Sequence, residues 1–224
     1  MSSQLKQDLF AQFARIGKAL ANANRLELLE LLAQGERSVE ALARVSGLSV
    51  ANTSQHLQQL RRAGLVQARK RGLKVFYRPG GDDVLELFNA LRRVGERHLA
   101  EVPRLVETHL HIRDELEAVA RDELLERIRA GTVTVIDVRP PEEYAAGHVP
   151  GALNLPLAEL EQRLEALEPG REIVAYCRGP HCVLAYEAVA RLRRQGRAAR
   201  RLEDGMPEWR LAGLPVETES AGQD

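Results

Sequence analysis

Both cysteines of this 224-residue chain fall in one short loop, Tyr176-Cys177-Arg178-Gly179-Pro180-His181-Cys182-Val183. The apolar run Ile173 to Tyr176 enters the loop, and a helical pattern, Val183 to Gln195, leaves it. Strand, loop and helix in that order aim backbone N–H groups and a helix N-terminus at the sulfur. Both stabilise a thiolate, the reactive form of cysteine. The loop therefore requires an α/β arrangement around it and points to one site of sulfur chemistry.

The length fits one large domain or two small ones. With 44% hydrophobic and 4% aromatic residues, the core must be built mainly from Leu, Val, Ala and Ile. No apolar stretch approaches the roughly 20 residues of a membrane span. The N-terminus, Met1 to Lys6, lacks the apolar segment of a signal peptide. A cytoplasmic location with no membrane partner is the expectation. In that compartment, two cysteines five positions apart are expected to be reactive rather than a structural staple.

The net charge of zero conceals a division. Residues 1–112 hold 17 Lys and Arg against 11 Asp and Glu, a net of +6, and residues 113–224 carry −6. Residues 1–80 alone carry +8. Such asymmetry points to a polyanion as the partner of the first half.

That half reads as helical. Leu5, Leu9, Phe13, Ile16 and Leu20 share one face over residues 5–21. Asn22 or Asn24 can cap a second helix rich in leucine, and Ser38 a third, over 39–45. Ser46-Gly47-Leu48 is a tight turn, after which Ser49 can cap a fourth helix reaching Arg62. Two helices joined by a short glycine turn form a helix-turn-helix candidate. On the fourth helix, Val50, Leu57 and Leu60 are expected to be buried. Its remaining positions include Ala51, Asn52, Thr53, Gln55 and His56, with no acidic residue. Amides and a methyl group are the side chains that read base edges, Ser49 and Thr53 can reach either bases or phosphate, and Arg61 and Arg62 are placed for backbone phosphates. Two alternating runs then flank Arg71-Gly72 as a hairpin whose tip carries Arg69, Lys70, Arg71 and Lys74. A basic hairpin beside a recognition helix grips phosphate next to the groove.

On Leu20-Ala21-Asn22-Ala23-Asn24-Arg25-Leu26, on Val50 to Leu65 and on Val75-Phe76-Tyr77-Arg78, residues 8–100 resemble the ArsR/SmtB family of winged-helix repressors. The resemblance implies a homodimer on double-stranded operator DNA, released by an inducer. The first helix and a fifth, about 82–102, would build the dimer, using Val84, Leu87, Phe88, Leu91 and Val94. The departures concern sensing. The third-helix stretch Glu36 to Ala41 has no thiol, and Asp83 is followed by Leu85 where the family's metal-binding pattern needs histidine. His98 and Glu101 retain only half of that pattern. No metal site and no cofactor are expected, and this half lacks a sensor of its own.

The second half alternates strands with helices. A helix over 114–130, a strand over 133–138, a helical stretch over 157–167, the cysteine unit and a short strand near 199–202 argue for an α/β domain with a mostly parallel sheet. Asp137, Arg139 and Cys177 fall at strand ends, where such sheets bind ligands. The run Asp137-Val138-Arg139-Pro140 through Gly147-His148-Val149-Pro150-Gly151-Ala152, the cysteine loop, and Asp204-Gly205-Met206-Pro207-Glu208-Trp209 resemble a single rhodanese domain over about 114–218. That resemblance implies a sulfurtransferase carrying sulfane sulfur on Cys177 as a persulfide, drawn from a small donor such as thiosulfate or another persulfide. Arg178 would offer a cation to an anionic donor. Asp137, Arg139, Gly179 and His181 would support the loop, and His148 and Trp209 would be structural. A phosphatase loop would need arginine where Val183 stands. Cys182 is a small buried residue or a resolving thiol that attacks an oxidised Cys177 to form a disulfide.

The expected organisation is a winged-helix domain over 1–102, a linker over 103–113, a rhodanese-like domain over 114–219 and a tail over 220–224. The leading functional expectation is a dimeric repressor whose second domain carries or senses reactive sulfur. The alternatives are a sulfurtransferase with uncoupled DNA binding and a regulator with an inactive rhodanese module.

Overall fold

The computed structural model describes residues 2–110 and 118–219, and the chain divides into two compact units, Met1–Arg92 and Arg93–Asp224. They bear out the two-domain expectation: a mainly helical winged unit, then an α/β unit with a parallel sheet.

In the first unit, α1 (Ser2–Leu20) buries only Ala19 and Leu20 and partly Ile16, while Leu5, Leu9, Phe10 and Phe13 stay exposed. Asn22 caps α2 (Ala23–Ala33) by accepting from the Arg25 N–H at 3.2 Å. Arg25 is buried and ties three helices together. Its guanidinium donates to the carbonyls of Ala19 and Lys18 and to Gln59 Oε1 at 2.7 Å. A two-residue strand missed in the sequence, β1 (Arg37–Ser38), pairs with Tyr77 and Phe76. Ser38 then caps α3 (Val39–Ser46). Gly47 turns the chain at φ +70°, a left-handed conformation that costs glycine nothing. Ser49 caps α4 (Val50–Arg62), and Leu28, Leu29, Leu32, Leu42, Leu57 and Leu60 close the core. Val50, expected to be buried, is 50% exposed at the first position of α4. The wing is the antiparallel pair β2 (Val66–Arg71) and β3 (Lys74–Pro79).

The fifth helix, α5 (Asp82–His98), is shorter than expected, and α6 (Glu101–Leu110) follows it across most of the stretch read as a linker. Val84 and Leu85 are buried in the protomer, whereas Leu87, Leu91 and Val94 are exposed. The apolar residues left uncovered on α1 and α5 are those a dimer would bury.

The second unit holds a four-stranded parallel sheet in the order β5 (Leu153–Asn154), β4 (Val133–Asp137), β6 (Glu172–Tyr176), β7 (Ala199–Arg201). Along β6 the side chains alternate. Ile173, Ala175 and Cys177 face a core completed by Ala188, Val189 and Leu192 of α9 (Val183–Arg194). Val174 and Tyr176 face the opposite core, with Leu124 of α7 (Arg121–Arg129) and Trp209 of α10 (Met206–Leu211). This period of two delivers Cys177 to the α9 face.

Two helical expectations are corrected. The helix expected over 114–130 begins only at Arg121. Val119 is instead extended and extends the sheet edge, donating to Arg201 O and accepting from Glu203 N, both at 2.9 Å; positions 114–117 lie outside the described residues. The stretch 157–167 forms turns and one 3₁₀ turn at Leu164–Ala166, because burying Leu160 and Leu167 needs contact with the core and not a continuous helix. The short α8 (Pro141–Ala146) was not foreseen.

Just past β4 sits a buried ion pair. Asp137 and Arg139 are both 0% exposed and joined at 2.5 Å. Arg139 also donates to the Gly147 carbonyl at 2.7 Å, and Asn154 Nδ2 donates to the carbonyls of Asp137 and Arg139. Burial opposes the Arg139 charge, but Asp137 outweighs it and holds the guanidinium above its usual pKa. Arg139→Ala should cost about 3–5 kcal/mol, since it strands a buried carboxylate. A urea midpoint unchanged from wild type would contradict this.

Candidate functional site

Two surfaces carry the chemistry, and each is described within its own unit. On the first, α4 presents Ala51, Gln55, Gln58, Gln59, Arg61 and Arg62 to solvent, with Asn52 half-buried. Ser49 spends its hydroxyl as the helix cap. Thr53 departs from expectation. It is fully buried, and its Oγ1 donates to the Ser49 carbonyl at 3.0 Å, so it stiffens the start of the helix and does not reach outward. His56 is half-buried, with its Nε2 at 3.5 Å from Asn24 Nδ2. On the wing, Arg69, Lys70, Arg71 and Lys74 are all exposed, and Leu73 stands wholly exposed at the tip.

The wing has an acidic neighbour that the pattern of cations did not reveal. Glu36, just before β1, accepts from Arg69 Nε at 3.1 Å and forms a closer contact with the second Arg69 nitrogen, while Arg71 lies at 3.4 Å. The hydrogen bond from Arg69 holds the Glu36 carboxyl below its usual pKa. The pairing follows from β1 lying beside β3. Only that short strand brings residue 36 to the wing, and two residues are too few to show an alternating pattern.

The second surface is the cysteine loop. Cys177 directly follows β6, is 1% exposed and belongs to the α9-side core. It is joined to Cys182 by a disulfide, with sulfurs 2.08 Å and Cα atoms 6.1 Å apart. Cys182 is partly exposed and stands at the N-cap of α9. Its N–H donates to the Gly179 carbonyl at 3.1 Å, which folds the loop back on itself. Gly179 is buried and His181 is exposed.

The loop is clamped from behind by the segment that starts α10. Met206 N–H donates to the Cys177 carbonyl at 3.1 Å. A Cβ on Gly205 would stand 2.4 Å from both Arg178 C and Gly179 N, so only glycine fits. Glu208 accepts from the Gly205 N–H at 3.0 Å and fixes the approach.

Arg178 is matched by a carboxylate. Glu143 on α8, with its side chain fully buried, accepts from Arg178 Nε at 3.1 and 3.0 Å and from its terminal nitrogen at 2.7 Å. The cation expected to face an anionic donor is thus held in an ion pair. Glu143 lies inside the Pro141-Glu142-Glu143-Tyr144 motif, but nothing in the spacing shows which glutamate turns inward. Asp137 and Arg139 lie in the same unit as the loop. Tyr176, the residue before Cys177, accepts at its hydroxyl from Val149 N–H at 3.0 Å. Burial, reinforced by Asp137, raises its pKa well above the phenol range and keeps it neutral. Among the described residues, no cluster of three metal-ligating side chains occurs, and no helix is long and apolar enough to cross a membrane.

Comparison with known proteins matches residues 22–68 to the arsR family of bacterial regulatory proteins and residues 120–212 to the rhodanese-like domain. The HTH-type transcriptional regulator Rv0324 of Mycobacterium tuberculosis is 52% identical over 215 residues, which cover 96% of this chain and 94% of that protein. A protein from Allochromatium vinosum named sulfurtransferase is 35% identical over 85 residues, covering 38% of this chain and 78% of its own length. A solved homodimeric winged helix-turn-helix DNA-binding domain (fragment 1–100) from Mycobacterium bovis is 48% identical. The match covers 43% of this chain and 89% of that one, with a TM-score of 0.41.

Proposed function

The chain belongs to the HTH-type transcriptional regulators in which an arsR-family helix-turn-helix precedes a rhodanese-like domain, and we propose that it is a DNA-binding homodimer whose second domain converts a reactive sulfur species into a change in operator affinity. In this reading α4 enters the major groove with Ala51, Asn52 and Gln55 toward base edges. Arg61 and the wing cations take phosphates, which makes affinity strongly salt-dependent. The exposed apolar faces of α1 and α5 meet across the dimer.

The observation that carries the sulfur part is the pairing of Cys177 with Cys182. The chain has only these two thiols, both lie in the rhodanese-like unit, and they are joined within one loop. The chemistry then runs in two balanced steps. The Cys177 thiolate takes the outer sulfur of a small persulfide, releasing the donor's thiolate and leaving a Cys177 persulfide. The Cys182 thiolate attacks the Cys177 Sγ of that persulfide, forming the disulfide and expelling hydrosulfide. The persulfide is the oxidant, and both cysteines are oxidised. Thiosulfate would serve in the first step with sulfite as the leaving group. With Arg178 paired to Glu143, the geometry favours a donor of low charge over thiosulfate.

The test is binding of a genomic DNA fragment, selected by the reduced protein, before and after glutathione persulfide. Wild type should lose affinity about tenfold or more, of the size of ordinary allosteric coupling. Cys177→Ser should keep full affinity, and Cys182→Ser should gain the mass of one sulfur without the loss. Equal loss in Cys177→Ser would sink the coupling. A plain sulfurtransferase would instead turn over thiosulfate and cyanide with DNA binding untouched.

Glu36 competes with phosphate for Arg69 and Arg71 in this reading. Glu36→Gln should tighten DNA binding severalfold at low salt and steepen the log–log salt slope by about one. An unchanged slope would show that Arg69 and Arg71 do not meet phosphate.

A further inference from the structure

The two sulfurs of the Cys177–Cys182 bond differ in access. Cys177 is 1% exposed and packed in the core against α9. The Gly205–Met206 backbone covers the loop from behind, and the Arg178–Glu143 pair holds the chain that follows. Cys182 is partly exposed, between exposed His181 and the 48% exposed Val183.

We propose that Cys182 is the exchange site for a low-molecular-weight thiol, which forms a mixed disulfide on Cys182 and releases Cys177 first. Thiol–disulfide exchange needs the incoming thiolate to approach one sulfur in line with the S–S bond. Cys177 is 1% exposed within the α9-side core, whereas Cys182 packs against the same core from its edge and remains partly exposed. Electrostatics does not reverse the choice. Either leaving thiolate would sit at the N-terminus of α9, a 12-residue helix, so both departures are stabilised. Access therefore decides.

The step balances. The thiolate RS⁻ bonds to Cys182 Sγ, the Cys177–Cys182 bond breaks, and its electron pair leaves on Cys177 Sγ. A second RS⁻ then attacks the outer sulfur of the mixed disulfide, giving RSSR and the Cys182 thiolate. The two cysteines are reduced at the expense of two small thiols. Cys177 thus regains its nucleophilic form while Cys182 is still blocked. In that interval a new sulfur donor loads Cys177 without being resolved. This inference rests on the disulfide chemistry proposed above, but not on its coupling to DNA.

The test uses the full chain after persulfide treatment. Oxidised protein is mixed with glutathione, quenched at short times with N-ethylmaleimide and digested with trypsin. Cleavage after Arg178 places Cys177 on the peptide ending at Arg178 and Cys182 on the peptide starting at Gly179. The expected early product carries glutathione on Cys182 and maleimide on Cys177, in about tenfold or greater excess over the reverse. The reverse pattern, or an even mixture, overturns this proposal and leaves the disulfide chemistry standing. Two maleimide labels before any glutathione is added would mean that no disulfide had formed, and would overturn both. Gly205→Ala adds a second readout. By prying the clamp from the loop it should lower the Cys182 preference, and an unchanged preference in folded Gly205→Ala would remove the access argument.

Discussion

A pair of opposite charges with no contact to water organises the second unit. Asp137 and Arg139 follow β4 directly and occupy a position where either charge alone would be intolerable. Around the pair, Arg139 also donates to the Gly147 carbonyl, and the Asn154 amide donates to the backbone carbonyls of both residues. Those contacts draw the residues after β4 and the strand β5 to one edge of the sheet. The polar network is thereby a scaffold for the loop's surroundings, and packing alone would leave these short segments without a fixed register.

The same economy recurs where cations were expected to act. In each unit an acidic residue stands against the arginines. Glu36 holds Arg69 and Arg71 of the wing, and Glu143 holds Arg178 of the cysteine loop. The two differ in environment. Glu36 lies near the surface beside half-exposed arginines, where water and salt weaken the pair. Glu143 is sealed inside, so its hold on Arg178 is part of the folded state.

Much of this was legible in the sequence. Long elements with strong periodicity, such as α4 and α9, stand within a residue of where their patterns put them, as do the hairpin at Arg71-Gly72 and the strand leading to Cys177. The family resemblances located both units. What the sequence could not show were features made by contacts distant along the chain. β1 exists only because β3 is there to pair with it, and the inward turn of Glu143 depends on Arg178, 35 positions later. Thr53 looked like a groove contact because its hydroxyl is polar; its hydrogen bond to the Ser49 carbonyl and its place at the core are properties of α4 as folded. Val119 sat on an apolar helical stripe but was claimed by the sheet edge beside Leu202.

The close approach of Gly205 to Arg178 and Gly179 also bears on the order of biosynthesis. Cys177 and Cys182 emerge from the ribosome well before the segment that clamps them. Until Gly205 and Met206 follow and dock, the loop lacks its backing from behind, although α9, which packs on Cys177, has already been made. A chain truncated ahead of Gly205 would therefore keep the α9 packing on Cys177 but lose the hydrogen bond that pins its carbonyl. The loop reaches its final form only once the segment that starts α10 has been made.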